Sequence, residues 1–216
     1  MRYAVLTSPS QWFIPYAEEL TGRIDGAALF FDHKEIGEEY DTVFILSYHR
    51  IIGREYLDRH RHNIVIHGSD LPAGKGWAPV FWQVIEGRNE IVFTMFEAAD
   101  GVDNGDVYMK DVMTLTGSEL NEEIRDMQAR TIMNMCMKFC ADYDRYKTPV
   151  KQSGEESFYP KRGAKDGELD VDKTIREQFN LLRTVHNEDY PAFFYMNGKK
   201  YILKIFREDS DEDRQL

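Results

Sequence analysis

The chain has 216 residues and a net charge of −11, from 27 basic and 38 acidic residues. Hydrophobic residues make up 42% and aromatic residues 13%, a composition that is typical of a globular protein and excludes a wholly disordered one. The sequence contains neither a signal peptide nor an apolar run of bilayer-spanning length, so we expect a soluble, cytoplasmic protein. The acidic balance argues against nucleic acid as substrate, because phosphate contacts come from Lys and Arg.

Short apolar runs alternate with helical patterns in the first half of the chain. The runs predict five strands: Tyr3–Thr7, Ala27–Phe31, Thr42–Leu46, Asn63–Ile66 and Ile91–Met95. Strands separated by helices favour an α/β fold with a Rossmann-like, mostly parallel sheet and helices on both faces. Ligands bind such sheets beyond the carboxyl ends of the strands, so the loops after Leu6, Leu46 and Ile66 are of most interest.

The second half of the chain is dominated by helical patterns and one hairpin. Thr116 and Glu119 have the spacing of a capping box that opens a long helix. Cys136 and Cys140 lie on one face of this helix, where they are interpreted as half-buried apolar residues and not as a disulfide or metal site. A further amphipathic helix precedes Asn197-Gly198, which predicts a β-hairpin formed by the flanking segments, Ala192–Met196 and Lys199–Ile205.

These patterns divide the chain into four parts. We expect a main domain over residues 1–150, an extended connector over 151–168, a C-terminal helix and hairpin over 169–206, and an acidic tail over 207–216. An isolated hairpin is barely stable, so this one should pack on the main domain or on a second subunit. A homodimer through the hairpin is therefore expected.

One of the six histidines directly follows a strand, where an α/β sheet presents catalytic groups. This residue is His67, at the end of the apolar run Asn63–Ile66. His60 and His62 lie among arginines and are expected at a solvated helix end. A lone histidine after a strand is more often a structural or surface residue than a catalytic one, so the surrounding residues decide its interpretation.

The residues after His67 resemble a known signature. The strings from His67 to Pro72, from Gly74 to Pro79 and from Gly101 to Asp106 together resemble that of the folate-dependent formyltransferases, and the spacing of His67 and Asp103 is similar to the family's. The resemblance extends from Tyr3 to the terminal hairpin and implies that residues 1–150 are a formyltransferase catalytic domain.

The resemblance implies a catalytic triad of Asn, His and Asp, of which His67 and Asp103 match two members. The family asparagine lies two residues before the histidine, where this chain has Val65. Asn63 is the nearest candidate, on the same face of the strand but further back, and a water, a backbone donor or another side chain could take its place. Without His67 at the matching spacing, Asp103 would be interpreted as a turn residue.

The implied chemistry accounts for these residue types. An amine attacks the formyl carbon of 10-formyltetrahydrofolate, and negative charge develops on the formyl oxygen, where hydrogen-bond donors stabilise it. The amine loses a proton during the attack, and His67 is suited to accept it near neutral pH. Asp103 beside it would orient the imidazole and favour its charged form. No metal is required.

The family resemblance also implies a folate site built from two loops, residues 47–52 and 98–103. The cofactor-binding candidates are His49, Arg50, Ile51, Ile52, Ala98, Asp100 and Val102. Ile51 and Ile52 could equally belong to the hydrophobic core.

Three later segments are similar to sugar N-formyltransferases: 157–162, 180–183 and 190–194. The acceptor implied is the 4-amino group of a nucleotide-linked 4-amino-4,6-dideoxy sugar for surface glycans. The segment Gly74–Trp77 most resembles enzymes of pseudaminic-acid-type pathways, which implies a UDP-linked amino-altrose derivative. The substrate-binding candidates are Ser10, Trp12, Lys75, Trp77, Lys161 and Arg162, the three basic residues as pyrophosphate contacts.

Three alternatives remain open at the level of sequence. Val65 in the asparagine position motivates a catalytically silent relative that binds folate or a nucleotide. The acceptor could be another small amine. Water could replace the amine, which would make the reaction a hydrolysis of formylfolate. Ser10 lies in a hydroxyl-rich helix start, which is either an anion site or a simple N-cap.

Overall fold

A computed structural model of the chain describes residues 1–208. The helices are α1 (Ile14–Arg23), α2 (Arg54–Leu57), α3 (Pro79–Ile85), α4 (Asn121–Ala141), α5 (Tyr143–Tyr146) and α6 (Ile175–Leu182). The strands are β1 (Tyr3–Leu6), β2 (Ala28–Phe30), β3 (Thr42–Ile45), β4 (His62–His67), β5 (Lys75–Gly76), β6 (Glu90–Glu97), β7 (Val107–Thr114), β8 (Phe158–Tyr159), β9 (Ala192–Met196) and β10 (Lys199–Leu203). The five strands predicted from apolar runs are all present.

The main sheet has six strands in the order β2-β1-β3-β4-β6-β7. The first four are parallel to one another, and β6 and β7 are antiparallel to their neighbours. The predicted Rossmann-like, mostly parallel sheet is confirmed. Because β6 runs against β4, its last residue Glu97 pairs with Ile64, and the chain returns through a loop over residues 98–106.

Both faces of the sheet are covered, as predicted. Helices α1 and α4 pack on one face around the buried side chains of Phe13, Leu20 and Phe139. The segment that ends in α2 covers part of the other face through Tyr56 and Leu57. Burying such side chains removes large apolar areas from water, at roughly 25 cal/mol per Å². No helix within residues 1–208 is long and apolar enough to cross a bilayer.

Four elements of the main domain were not predicted: the short β5 and α5, and the longer β7 and α3. In β7 the charged pair Lys110-Asp111 interrupts the alternation, and this strand is at the edge of the sheet, where charged residues are tolerated. Helix α3 is buried along most of its length, so it has no polar face to produce a periodic signal.

The start of the long helix differs from the prediction. The expected bonds form, with Thr116 N and Oγ1 both donating to Glu119 at 2.7 Å, but they close a turn that precedes the helix. Helix α4 begins at Asn121, and the Glu123 carboxylate accepts from the backbone N–H of Leu120 at 2.9 Å. Within α4, Cys136 is buried and Cys140 partly buried, and both are free thiols, as expected.

The C-terminal hairpin forms at the predicted position. Asn197 and Gly198 have φ of +52° and +72°, the two positive values that a type I′ turn requires. The hairpin packs on α6 through the small core Leu169, Leu182, Val185 and Ala192. The predicted connector includes β8, which pairs with β5 next to the loop after His67. The predicted acidic tail 207–216 lies, beyond its first two residues, outside the described residues.

Candidate active site

His67 and Asp103 come together at the edge of the sheet where β3 and β4 end. His67 Nε2 lies 3.7 Å from Asp103 Oδ2, and the two side chains are only 10% and 14% exposed. The same nitrogen lies 2.9 Å from the carbonyl oxygen of Gly74. A carbonyl only accepts hydrogen bonds, so Nε2 carries the hydrogen and Nδ1 keeps the lone pair.

Asp103 is fixed in its loop by several backbone contacts. Its Oδ2 accepts from the N–H of Gly76 at 2.9 Å, and its φ of +50° is a left-handed value that Asp tolerates better than most residues. Gln152 donates from Nε2 to the carbonyls of Asp103 and Gly105, at 2.9 and 2.8 Å. A Cβ at Gly105 would lie 1.5 Å from the carbonyl oxygen of Glu97, so the loop passes there only with glycine.

Lys75 does not lie where the sequence predicted a pyrophosphate contact. Its side chain is 2% exposed, and its Nζ donates to Asn104 Oδ1 and Glu156 Oε1, both at 2.6 Å. The pairing of β5 with β8 brings Glu156 to it from the predicted connector. Lys75 therefore anchors the loop that carries Asp103, and its charge is already balanced by a carboxylate.

Asn63 is not at the reaction centre, and its assignment as the third catalytic residue is corrected. It lies four residues before His67 on β4, about 13 Å away at roughly 3.3 Å per residue. Its Nδ2 donates to the carbonyl of Leu57 at 2.8 Å and lies 3.5 Å from Glu97 Oε1. Val65, on the same face of the strand, has no polar group to offer.

A cleft of about 550 Å³ lies between α2 and the loop 98–106. One side of this loop presents Asp103 to His67, and the other side lines the cleft with Ala98, Ala99, Asn104 and Gly105. The volume of the cleft is within the range of small-molecule binding sites. Within residues 1–208 no group of His, Cys, Asp and Glu side chains is arranged to bind a metal ion.

The wall of this cleft contains a chain of polar hydrogen bonds. Tyr108 OH donates to Glu97 Oε2 at 2.5 Å, His62 Nδ1 lies 2.8 Å from that hydroxyl, and His62 Nε2 lies 2.9 Å from Tyr143 OH. Burial raises the pKa of Glu97 and lowers the pKa of His62. The expectation that His60 and His62 lie at a solvated helix end is wrong: both are buried, because they lead into β4.

The predicted folate loops lie around the same edge, with different exposures. Ala98 lines the cleft, and Asp100 and Val102 are exposed on the loop that carries Asp103. Arg50 pairs with Asp32 at 2.6 Å, and the His49 ring lies 6.2 Å from that of Trp77. The core alternative is wrong for Ile51, which is 95% exposed, while Ile52 packs against the core around β3.

The remaining predicted substrate residues lie along one surface beside α3. Lys161 Nζ is 5.0 Å from the centre of the half-exposed Trp77 ring. Arg162 lies over Phe81, and Trp12 lies under Arg125 of α4. Ser10 is exposed, with a φ of +60°, and does not cap α1, whose cap position is Phe13.

Sequence reasoning did not find Gln152, Glu97 or Arg125. Gln152 lies in a polar stretch interpreted as a connector, and no local pattern distinguishes it from its neighbours. Glu97 is a charged residue at the end of an apolar run, which was a usable signal. Arg125 is one of several charged residues on a long helix, and only the packing of α4 on α1 places it over the ring of Trp12.

Comparison with known proteins finds a family match that includes this site. Residues 32–135, which include His67 and Asp103, match the family described as Formyl transferase. The methionyl-tRNA formyltransferase of Lachnospira eligens is 29% identical over 175 residues, which are 78% of this chain and 54% of that protein. The chain thus spans about half the length of the curated relatives it matches.

Solved structures share the whole fold. A methionyl-tRNA formyltransferase from Clostridium thermocellum has a TM-score of 0.79 at 18% identity and covers 97% of this chain and 94% of its own. A 4-N formyltransferase from Francisella tularensis has a TM-score of 0.73 at 18% identity, and the match covers 97% of this chain and 99% of that one. HypX from Aquifex aeolicus in complex with tetrahydrofolic acid has a TM-score of 0.68 at 16% identity, and the match covers 95% of this chain and 37% of that one. At these identities the likeness establishes the fold alone.

Proposed function

We propose that this chain transfers a formyl group from 10-formyltetrahydrofolate to an amine, because residues 32–135, which contain His67 and Asp103, match the family described as Formyl transferase. The acceptor we propose is the 4-amino group of a nucleotide-linked 4-amino-4,6-dideoxy sugar, such as a UDP-linked amino-altrose derivative. The observation that supports this most is the approach of Asp103 Oδ2 to within 3.7 Å of His67 Nε2. The two residues are distant along the chain and meet at the edge of the sheet where ligands of such folds bind.

His67 acts as the general base in this proposal. Its Nε2–H points to the Gly74 carbonyl at 2.9 Å, so the lone pair on Nδ1 is the one available to take the proton that the attacking amine loses. Asp103 favours the resulting charged imidazole, because an opposite charge stabilises it in a nearly water-free site. The donor supplies the formyl carbon that the amine attacks.

We propose that the cleft between α2 and the loop 98–106 binds the pteridine ring of the donor. The Glu97 carboxylate lines this cleft and suits the N–H groups of such a ring, since carboxylates accept hydrogen bonds from paired donors. Ala98, Asp100 and Val102 would contribute from the loop, together with the loop after β3, which contains His49, Arg50, Ile51 and Ile52. The HypX structure that contains tetrahydrofolic acid has the same fold, which is consistent with this placement.

A nucleotide-linked sugar is favoured over tRNA as acceptor by charge. The net charge is −11, and a protein that binds tRNA needs many phosphate contacts from basic residues. Methionyl-tRNA is the second candidate, because the curated relatives are methionyl-tRNA formyltransferases that share 25–29% identity with this chain. The sequence similarity of residues 157–162 to sugar N-formyltransferases supports the first.

A panel of amines with 10-formyltetrahydrofolate tests the proposal. We expect tetrahydrofolate release with one of the UDP-, dTDP- or GDP-linked 4-amino sugars, none with methionyl-tRNA, and loss of the activity in His67→Asn. His186→Asn is the matched control, because His186 lies between α6 and β9, where it contacts Asp189 and neither His67 nor Asp103. Release without any amine would favour hydrolysis, and binding of the donor without turnover on any acceptor would favour a silent relative.

We also propose that two copies associate through the C-terminal hairpin. Tyr195 and Ile202 lie on one face of the hairpin and Tyr201 lies on the other, each 45–54% accessible. Exposed apolar groups of this kind are common at protein interfaces. Light scattering should give the mass of a dimer, and Ile202→Lys should give that of a monomer; a monomeric wild-type chain would refute this proposal.

A further inference from the structure

Two arginines from distant parts of the chain share one aromatic ring. The Cζ of Arg125, on α4, lies 5.5 Å from the ring centre of Phe81 on α3 and 5.0 Å from that of Trp12. The Cζ of Arg162, in the segment after β8, lies 5.7 Å from the same Phe81 ring. We call these four residues, Trp12, Phe81, Arg125 and Arg162, the arginine cluster.

Neither arginine of the cluster pairs with a carboxylate in the part of the chain that the structure describes. Arg125 makes one hydrogen bond, from Nε to Asn121 Oδ1 at 3.2 Å. Arg162 donates to the carbonyl and Oγ1 of Thr184, at 3.1 and 2.8 Å. A guanidinium has five N–H donors, so most donors of both groups have no protein acceptor among residues 1–208.

This arrangement is costly for the protein alone. Burial lowers the pKa of both arginines. Asp189 raises the pKa of Arg125 and Asp166 raises that of Arg162, while Arg125 lowers the pKa of Arg162 because the two like charges are close. Asp189 and Asp166 are near enough to act on Arg125 and Arg162 through their charge, but neither forms an ion pair with the cluster within residues 1–208. Asp189 pairs with His186, and Asp166 bonds to the backbone of Gly163. An anion that lies between the two guanidinium groups would remove the repulsion and use the unpaired donors.

The arginine cluster is continuous with the reaction centre through α3. Gly76, whose N–H binds Asp103, precedes Trp77, and Lys161 lies over the Trp77 ring next to Arg162. Helix α3 begins two residues after Trp77 and carries Phe81. An elongated ligand could therefore contact His67 at one end and the arginine cluster at the other.

We infer that Arg125 and Arg162 bind the diphosphate of a nucleoside-diphosphate-linked acceptor, with one planar guanidinium available to each phosphate group. Arginine suits this role because its fork matches two phosphate oxygens, which a lysine ammonium cannot do. The identity of the acceptor rests on the proposed function, whereas the binding of a diphosphate can be measured without any formyl transfer.

Calorimetric titration of the full chain with UDP, dTDP, GDP and inorganic pyrophosphate tests the inference. We expect one of the nucleoside diphosphates to bind and its nucleoside to bind at least about 10-fold more weakly. Arg125→Gln and Arg162→Gln should each weaken diphosphate binding by about 10-fold or more, since hydrogen bonds to charged groups are strong. Arg125→Lys should restore only part of the affinity. Arg130→Gln is the matched control, because Arg130 is exposed on the same helix and pairs with Asp126.

Two results would overturn the inference. One is diphosphate binding that is unchanged in both glutamine variants while their melting temperatures match the wild type. The other is the absence of diphosphate binding, whether or not an amine is formylated; tRNA binding that these variants lose would then assign the cluster to a polynucleotide. If diphosphates bind as expected but no amine is formylated, the proposed function fails and this inference stands. If an amine is formylated but no diphosphate binds, the proposed formyl transfer stands and this inference fails.

Discussion

Two carboxylates of this protein, Glu97 and Glu119, are largely buried and have opposite properties. Glu119 lies 3.5 Å from Arg183 and accepts from the N–H groups of Thr116 and Gly117, at 2.7 and 3.1 Å. Burial alone would raise the pKa of Glu119, but these hydrogen bonds outweigh it and lower the pKa to about 2. Glu97 forms no ion pair within residues 1–208, and burial raises its pKa.

The contrast distinguishes an ion pair that holds two elements together from a carboxylate that lines a cleft. We call the pair of Glu119 and Arg183 the joint. Glu119 and Arg183 connect the turn before α4 to the end of α6, and Arg183, only 1% exposed, also donates to Asn89 at 2.9 Å. On the cleft side, Glu97 accepts hydrogen bonds only from uncharged partners, Asn63 and Tyr108. The two arginines of the arginine cluster likewise have no ion-pair partner within residues 1–208. A buried charge with a complete set of partners stabilises one structure, whereas an incomplete set is a candidate for ligand binding.

The largest effect is expected at the reaction centre, for Asp103→Asn. The amide still accepts from the Gly76 N–H and suits the left-handed turn, but it cannot favour a charged His67. We expect kcat for formyl transfer to fall by about 10²- to 10⁴-fold with little change in melting temperature. The control is Asp70→Asn, on the exposed side of the neighbouring loop. A rate within threefold of the wild type would show that the carboxylate is not used.

At the joint, Arg183→Met should reduce stability and leave catalysis intact. Removal of one partner leaves the Glu119 carboxylate without its cation, at a cost of about 3 kcal/mol. Urea unfolding measures the loss, and the activity per folded molecule should remain that of the wild type. The double variant with Glu119→Gln should lose less than the sum of the single variants. Simple additivity would mean that the two groups do not interact.

Gln152→Leu should affect both stability and rate, because this side chain clamps the loop that carries Asp103. We expect about 1–2 kcal/mol less stability and about 10-fold lower kcat, from the loss of two hydrogen bonds and a less fixed carboxylate. The acidic limb of the pH–rate profile should shift as well, which a purely structural role would not cause. Gln128→Leu on α4 serves as the comparison and should leave the profile unchanged.

The last effects appear only when pH is varied, and they have opposite signs for the two carboxylates. The raised pKa of Glu97 gives a contribution to stability that is present below its ordinary value of 4.5 and is lost as pH rises through the folded value. Glu119 contributes above 4.5 and loses its contribution as pH falls toward about 2. Urea unfolding between pH 2.5 and 7 should lose the first slope in Glu97→Gln and the second in Glu119→Gln, at roughly 1.4 kcal/mol per pKa unit. Slopes of the same sign would contradict this assignment.

The local pattern of residues determined most of the fold. The apolar runs placed five of the six strands of the main sheet, and Asn197-Gly198 placed the hairpin, because both signals depend on neighbours in the chain. The string after His67 and its spacing to Asp103 indicated the family that residues 32–135 match and one pair of residues that meet in the structure. Strand β7 was missed because its position at the sheet edge allows charged residues that interrupt the alternation. Helix α3 was missed because it is mostly buried and has no polar face to produce a periodic pattern.

Only the tertiary structure decided which polar side chains meet. The sequence could not distinguish a lysine at the surface from Lys75, which β8 covers and pairs with Glu156, nor foresee that Asn63 would bond to Leu57 instead of approaching His67. Gln152, Arg125 and Arg162 acquire their contacts from segments that are far apart in the chain. Such contacts depend on how elements pack in space, and the order of residues along one element carries no signal for them.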